Sequence, residues 1–303
     1  MRREDLPRSG GFALAPEVRG ILLMLAATAL FGAMDGISKY LVLNYSASFV
    51  LWVRHLIAVP LVLAMLFASR GRPPLQAARP LLQIARTAVL VVEMTLVMLA
   101  FRIMPLAAVH AIVAATPLVV TALSVPTLGE RVGWRRWLAV SVGFAGVLLI
   151  VRPGLGVVQP GALLAVVCAF LFALYNILTR LAARSDPPAT SFLWQTIWSA
   201  VLLSLLGPWF ATAVEPAHWP LFVALGLMGA LGHYLLVRAL TLVPAVVVQP
   251  IFYMMIVWAA FWGFVLFGEV PDAFTIAGAA LIVGAGLFAA WREQRLRATD
   301  RFP

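Results

Sequence analysis

Two charged residues four apart, Asp35 and Lys39, lie near the end of an apolar run that begins at Gly20. On a helix this spacing places both on one face, with Thr28 and Gly32 continuing the stripe. Such a pair serves either as a polar contact in a solute path or as a local ion pair snorkelling toward a membrane interface. Glu93 stands well inside another apolar run, with no charge within four residues. A carboxyl in that setting is costly to ionise, which suits a group that loads and releases a proton. The alternative is a fixed structural carboxylate bonded to hydroxyls or to Arg86, two turns earlier. Arg54 and His55 share a third run, and His110 heads a polar stripe through Ala114, Pro117, Thr121 and Ser124. Later runs carry Tyr175-Asn176, His233-Tyr234, Gln249 and Tyr253.

These residues give a candidate substrate-binding set of Asp35, Lys39, Arg54, Glu93, His110, Tyr175, Asn176, His233, Tyr234, Gln249 and Tyr253. Glu93, Asp35 and His110 are its proton-coupling candidates. Trp52, Trp194, Trp198, Phe252, Trp258 and Trp262 could stack a flat substrate, whereas Gly32-x-x-x-Gly36 reads as a close helix contact. The sequence has no glycine-rich phosphate loop, no HExxH and no nucleophile elbow. Its single cysteine, Cys168, excludes a disulfide framework and a cysteine-based metal site. No cofactor or metal is therefore expected, and without an ATP site energy must come from an ion or solute gradient.

Of 303 residues, 63% are hydrophobic and 11% charged, with a mean hydropathy of +1.00. A soluble domain is nearer one quarter charged, so lipid is the expected solvent. Ten apolar segments can be marked, at 20–41, 47–68, 80–101, 105–125, 134–151, 160–182, 190–212, 219–240, 244–266 and 273–291. Each is long enough, or nearly so, for a span of about 20 residues. The net charge of +10 sits in short loops and tails rather than in a continuous stripe, which argues against nucleic acid. With the N-terminus inside, seventeen arginines fall on the inner face, and Lys39, Arg102 and Arg152 on the outer. That bias predicts cytoplasmic termini. The mixed-charge segment before Arg19 reads as a short, uncleaved cytoplasmic tail.

The chain repeats itself. Gly20–Leu41 aligns without a gap on Gly161–Ala182, so that Phe31 meets Phe172, Asp35 meets Asn176 and Lys39 meets Arg180. Ser48-Phe49 echoes Ser191-Phe192, Ala100 and Pro105 echo Ala239 and Pro244, and Gly129-Glu130 echoes Gly268-Glu269. Each half holds five crossings, an odd number, so the second half enters the membrane upside down relative to the first. The expected fold is all-α and integral to the membrane, with ten transmembrane helices in two inverted-topology repeats. Boundaries are expected at 1–18 for an N-terminal tail, 19–152 and 153–291 for the repeats, and 292–303 for a C-terminal tail.

On these features the chain resembles the EamA branch of the drug/metabolite transporter superfamily, from about Arg19 to Trp291. Ala100, Pro105, Pro117 and Gly129-Glu130 carry the likeness in the first half. Ala239, Pro244 and Gly268-Glu269 carry it in the second, and Arg54 sits where the family often has arginine in helix two. The resemblance implies alternating access around a central cavity lined mainly by helices 1, 3, 4, 6, 8 and 9. It fixes neither substrate nor direction. The Met34–Lys39 stretch, MDGISK, is loosely similar to relatives that carry S-adenosylmethionine or riboflavin.

The expected function is secondary transport of a small organic metabolite across a bacterial inner membrane, proton-linked or by exchange. The mixture of acidic, basic and aromatic groups suits an amino acid-, nucleoside- or flavin-like compound. Two other readings stand beside it: broad drug efflux, and an integral-membrane enzyme acting on lipid-linked substrates. An enzyme would gather its polar residues at one interface, whereas a carrier converges them near mid-membrane from both repeats. The expected partners are the substrate, the bilayer and protons, with oligomeric state open.

Overall fold

The computed structural model describes residues 15–68, 76–128, 133–152, 160–243 and 249–299. These form helices α1 (Pro16–Asn44), α2 (Ala47–Ala68), α3 (Pro80–Ile103), α4 (Leu106–Val113), α5 (Thr116–Leu128) and α6 (Trp134–Val151). The second half supplies α7 (Pro160–Ala182), α8 (Pro188–Leu206), α9 (Trp219–Leu242), α10 (Met254–Phe267) and α11 (Ala273–Thr299). Ten spans are long and apolar enough to cross a membrane, because α4 and α5 together make one crossing and a 3₁₀ turn at Gln249–Tyr253 leads into α10. The protein is a multi-pass membrane protein built from two five-crossing repeats. The expected Gly129-Glu130 turn and Pro244 lie outside the described residues.

Local chemistry sets the boundaries. Prolines open α3 and α8 at a position whose N–H has no helical acceptor in any case. α3 stops because Met104 precedes Pro105 and is driven to extended geometry (φ −135°, ψ 156°). The fourth crossing breaks because Pro117 has no N–H to give to the carbonyl of Val113. Thr116 Oγ1 donates to that carbonyl instead, at 2.6 Å. α10 ends at Gly268, whose φ of +65° is left-handed, and the turn delivers Glu269 back toward the helix bundle. Asp272 caps α11 by accepting from the Thr275 N–H at 2.8 Å and pairs with Arg152 at the end of α6. The hydrogen bond from Arg152, working against burial and aided by Thr275, holds the Asp272 carboxyl down at about 2.

The helices pack so that the halves exchange partners. α1 lies on α9 and α10, and its repeat equivalent α7 lies on α3 and on the α4–α5 crossing. α2 meets α9 as α8 meets α3, and the closing helices α6 and α11 pair with each other. Each of these pairings has its mirror, which is what a pseudo-two-fold axis between inverted repeats produces. Close approach of α1 to α10 depends on Gly32 and Gly36, which face Trp258 and Trp262. A Cβ at Gly32 would lie 2.3 Å from the Trp258 Cβ, so the small-residue pair is a packing device. Gly32→Ala should therefore lower stability by about 1–3 kcal/mol, the cost of overpacking. A fall in the thermal unfolding midpoint in detergent checks this, with Gly284→Ala, whose Cβ would meet nothing within 4 Å, expected to unfold like the parent.

Candidate substrate cavity

A cavity of about 100 Å³ lies among α1, α2 and α3, lined by Met34, Asp35, Leu51, Arg54, Glu93, Met94, Val97, Met98 and Phe101. Glu93 is the fourteenth of the 24 residues of α3, which places it near the middle of the span. α7 backs it, with Cys168 Sγ 3.9 Å from the Glu93 carbonyl. Asp35 faces His110 on α4, whose Nε2 is 3.1 Å from Oδ2 but off the hydrogen-bond axis, leaving that nitrogen without a hydrogen bond. The His110 ring also packs on Phe101, with centroids 5.6 Å apart. The Arg54 guanidinium reaches two thioethers, Met34 Sδ at 4.0 Å and Met94 Sδ at 3.9 Å. The volume holds a few waters and is below the roughly 300–1,000 Å³ of a ligand cleft, so the cavity must widen to take a metabolite.

Polar contacts between the halves bracket this cavity at the two ends of α3. At its C-terminal end Lys39 pairs with Glu269 and donates to the Met104 carbonyl at 2.6 Å. Glu269 also accepts the N–H of Leu106 at 3.0 Å, so one carboxylate joins α1 to the start of α4. At the N-terminal end Arg86 donates to Gln83 Oε1 (2.6 Å), Thr179 Oγ1 (3.3 Å), Gln195 Oε1 (3.2 Å) and the Ser191 carbonyl. Gln83 Nε2 in turn donates to Asp186 Oδ2 (2.8 Å) and Ser191 Oγ (2.9 Å), and the Ala78 N–H donates to Asp186 Oδ1 (2.6 Å). Burial opposes ionisation of Asp186, but these hydrogen bonds, the Arg79 N–H and the Arg79 charge together hold its carboxyl below the ordinary range.

The structure thus brings Asp35, Arg54, Glu93 and His110 together and sends the other candidates elsewhere. Lys39 does not pair with Asp35, because Glu269 and the Met104 carbonyl compete for its ammonium. Arg86 does not reach Glu93, being occupied by α7 and α8. Tyr175 donates to Gln195 Oε1 at 2.6 Å and joins the Arg86 cluster. Asn176 bonds back to the Phe172 carbonyl of its own helix (2.6 Å), and His233 to that of Gly229 (2.8 Å). His233 also packs edge-on to Phe31 at 5.0 Å. Tyr234 is 45% exposed and is not among the residues that line the cavity. Tyr253 packs its hydroxyl against Gly286 of α11, where even a methyl group would clash. Gln249 opens a 3₁₀ turn, and its side chain is outside what is described.

The expected convergence of polar groups from both repeats is corrected accordingly. Among the described residues the ionisable groups of this cavity belong to the first half, while those of the second half bond within their own helices or across the seams. The tryptophans likewise pack between helices or face outward. Trp52 bonds Ser204 Oγ at 3.0 Å, Trp258 bonds Thr28 Oγ1 at 3.3 Å, and Trp194 stacks on Trp198 in a separate pocket of about 240 Å³ with Leu193 and Ile197. Sequence reasoning missed Glu269 as the partner of Lys39, although both fall on the same side of the membrane. It also passed over Gln83 and Gln195, whose amides in apolar helices were a usable signal. The methionine lining carried no signal, since methionine is at home anywhere in an apolar helix.

Comparison with known proteins returns a consistent picture. The model of the EamA-like transporter family matches twice, over residues 18–152 and 159–291. The S-adenosylmethionine uptake transporter of Rickettsia felis is 26% identical over 283 residues, covering 93% of this chain and 96% of the relative. The riboflavin transporter of Vibrio cholerae is 27% identical over 286 residues, 92% and 96% of the two chains. The pseudopaline exporter CntI of Pseudomonas aeruginosa is 28% identical over 268 residues, 88% and 94%. A solved crystal structure superposes with a TM-score of 0.59 at 21% identity, over 89% of this chain and 98% of that one, a likeness of fold.

The polar cluster at the N-terminal end of α3 makes a prediction. Asp186→Ala strands a buried donor of Gln83, removes the acceptor of the Ala78 N–H and should cost about 1–3 kcal/mol, read as a lower unfolding midpoint in detergent, with Asp186→Asn falling in between. Because the folded carboxyl titrates below its ordinary value, this contribution is present above about pH 4 and fades as pH falls further. The gap between parent and Asp186→Ala should therefore narrow in acid.

Proposed function

Because this chain belongs to the EamA-like transporter family, we propose that it carries a small organic metabolite across a bacterial inner membrane by alternating access, driven by protons. That it is a small-metabolite transporter rather than an enzyme follows from the family and from relatives named as transporters. The finer reading rests chiefly on one observation: Asp35, Arg54 and Glu93 face a shared cavity near mid-membrane, where a charge without a task is expensive.

In this reading the repeats, 19–152 and 153–291, rock against each other around the cavity while the tails, 1–18 and 292–303, stay cytoplasmic. The arginine excess on one face supports that orientation. The Lys39–Glu269 contact closes the outer side in the present conformation, and the Arg86–Asp186 cluster ties α3 to α7 and α8 on the inner side. Glu93 is the proton carrier. It lies in the cavity with no hydrogen bond or ion pair to its carboxylate among the described residues, so it is free to change protonation as water reaches it. Asp35 and His110 form a second titratable contact that reports on the same cavity. Relatives named for S-adenosylmethionine uptake, riboflavin transport and pseudopaline export agree on small polar metabolites and differ in direction.

The test is transport by purified protein in proteoliposomes, offered labelled S-adenosylmethionine, riboflavin and L-amino acids with and without an imposed proton gradient. At least one compound should accumulate in response to the gradient. Glu93→Gln should reduce that accumulation to the level without a gradient, while circular dichroism and the unfolding midpoint report an intact fold. A variant that retains the full gradient response removes Glu93 from the coupling role.

A further inference from the structure

Among the described residues three basic side chains are buried within the spans, and two of them are satisfied by oxygen. Lys39 has Glu269 and the Met104 carbonyl, and Arg86 has four oxygen acceptors. The third, Arg54, is only 8% exposed and lines the cavity. Its recorded acceptors are the sulfurs of Met34 and Met94, at 4.0 and 3.9 Å. A guanidinium has five N–H donors in a planar fork, and thioether sulfur is a weak acceptor. Asp35 and Glu93 line the same cavity, yet no carboxylate among the described residues comes within the 4.0 Å of an ion pair with Arg54.

We propose that Arg54 is the docking point for the carboxylate of a zwitterionic substrate of the α-amino-acid type, whose cationic amine is received by Asp35 and Glu93. The fork of a guanidinium matches the two oxygens of a carboxylate. Both acidic groups line the same cavity without reaching the guanidinium, so a molecule with both charged groups on one carbon bridges what the protein leaves unbridged. The charges balance as well. A zwitterion carries no net charge and so adds none to the low-dielectric site. The remaining walls, Met34, Met94, Met98 and Phe101, are apolar and pliable and suit a hydrophobic side group of variable shape. This inference rests on the carrier reading above and narrows it to a substrate class.

The experiment uses the purified full chain and matched probes: each L-α-amino acid beside its decarboxylated amine and its des-amino acid. L-phenylalanine, phenethylamine and phenylpropionate form one set, and L-leucine, isopentylamine and isocaproate another. Thermal stabilisation and proteoliposome counterflow are read together. At least one amino acid should bind and move, with its amine and its acid analogue each weaker by about tenfold or more. Arg54→Gln should weaken the amino acid by about thirtyfold and leave the amine within a few-fold, while Arg54→Lys, which keeps the charge but loses the fork, falls between. The comparison of probes on the parent protein needs no variant, so a misfolded Arg54→Gln does not block the test. Amino acids that neither bind nor move overturn the inference, as does an amine or acid analogue that equals its amino acid. If a neutral or purely cationic compound is transported while amino acids are not, the substrate class fails and the carrier stands. If no compound offered in either experiment moves, the carrier reading itself fails.

Discussion

Lipid provides no partner for a charge or for an unpaired backbone group, and the whole structure is arranged around that lack. Backbone groups are satisfied within helices, and where Pro117 frees a carbonyl, the neighbouring Thr116 hydroxyl bonds it. Buried charges meet the same demand across the seam between the halves. Lys39 is held by Glu269, and Arg86 by a cluster reaching Thr179, Ser191 and Gln195. The groups that escape full satisfaction, Arg54, Glu93 and the Asp35–His110 contact, gather in one place. The cavity they line is where the fold leaves room for water or, in the proposed function, for a substrate.

The duplication explains the frame but not the contents. Residues equivalent in the repeat do equivalent mechanical work with different chemistry. Tyr45 and Asp186 stand 141 positions apart, and their partners Phe222 and Gln83 stand 139 apart, the same offsets that relate the repeats. At one end of the bundle the contact is aromatic, Tyr45 to Phe222 at 5.5 Å, with the Tyr45 hydroxyl on His218 Nδ1 at 2.8 Å. At the other end it is an amide on a carboxylate, Gln83 to Asp186. Inverted repeats that share a helix plan therefore build two unlike seams. In the proposed alternating-access cycle, opening at one end would part an aromatic contact beside the Lys39–Glu269 pair, and opening at the other an amide–carboxylate network. A carrier with identical ends would have no built-in preference between its two states, and this chain does not have identical ends.

Much of the plan was legible along the chain. Ten spans, the internal repeat and the packing role of Gly32 and Gly36 follow from apolar length, spacing and the absence of a side chain. Glu93, Asp35, Arg54 and His110 stood out because an ionisable residue in an apolar run is costly and so carries information. The same logic overcounted. Tyr175, Asn176, His233 and Tyr253 are polar in apolar runs too, but a helix can absorb such groups by bonding them to the preceding turn or packing them against a neighbour. The sequence pattern of a polar residue facing a cavity and of one bonded to its own helix is the same.

What the sequence alone determined is the solvent, the number of crossings, the inverted relation of the halves and the identity of the few charges that lipid cannot accommodate. These are properties of composition and periodicity, and each is additive along the chain. Which charge meets which was decided only by tertiary structure. Lys39 lies four residues from Asp35 and 230 from Glu269, yet it bonds the distant carboxylate. Helix–helix packing brings that group, a neighbouring carbonyl and the start of α4 to a single point, and a local pair on the helix surface has no such convergence. Arg54 was decided the same way: packing sets the weak thioether acceptors Met34 and Met94 against its guanidinium and, among the described residues, brings no carboxylate within ion-pair distance.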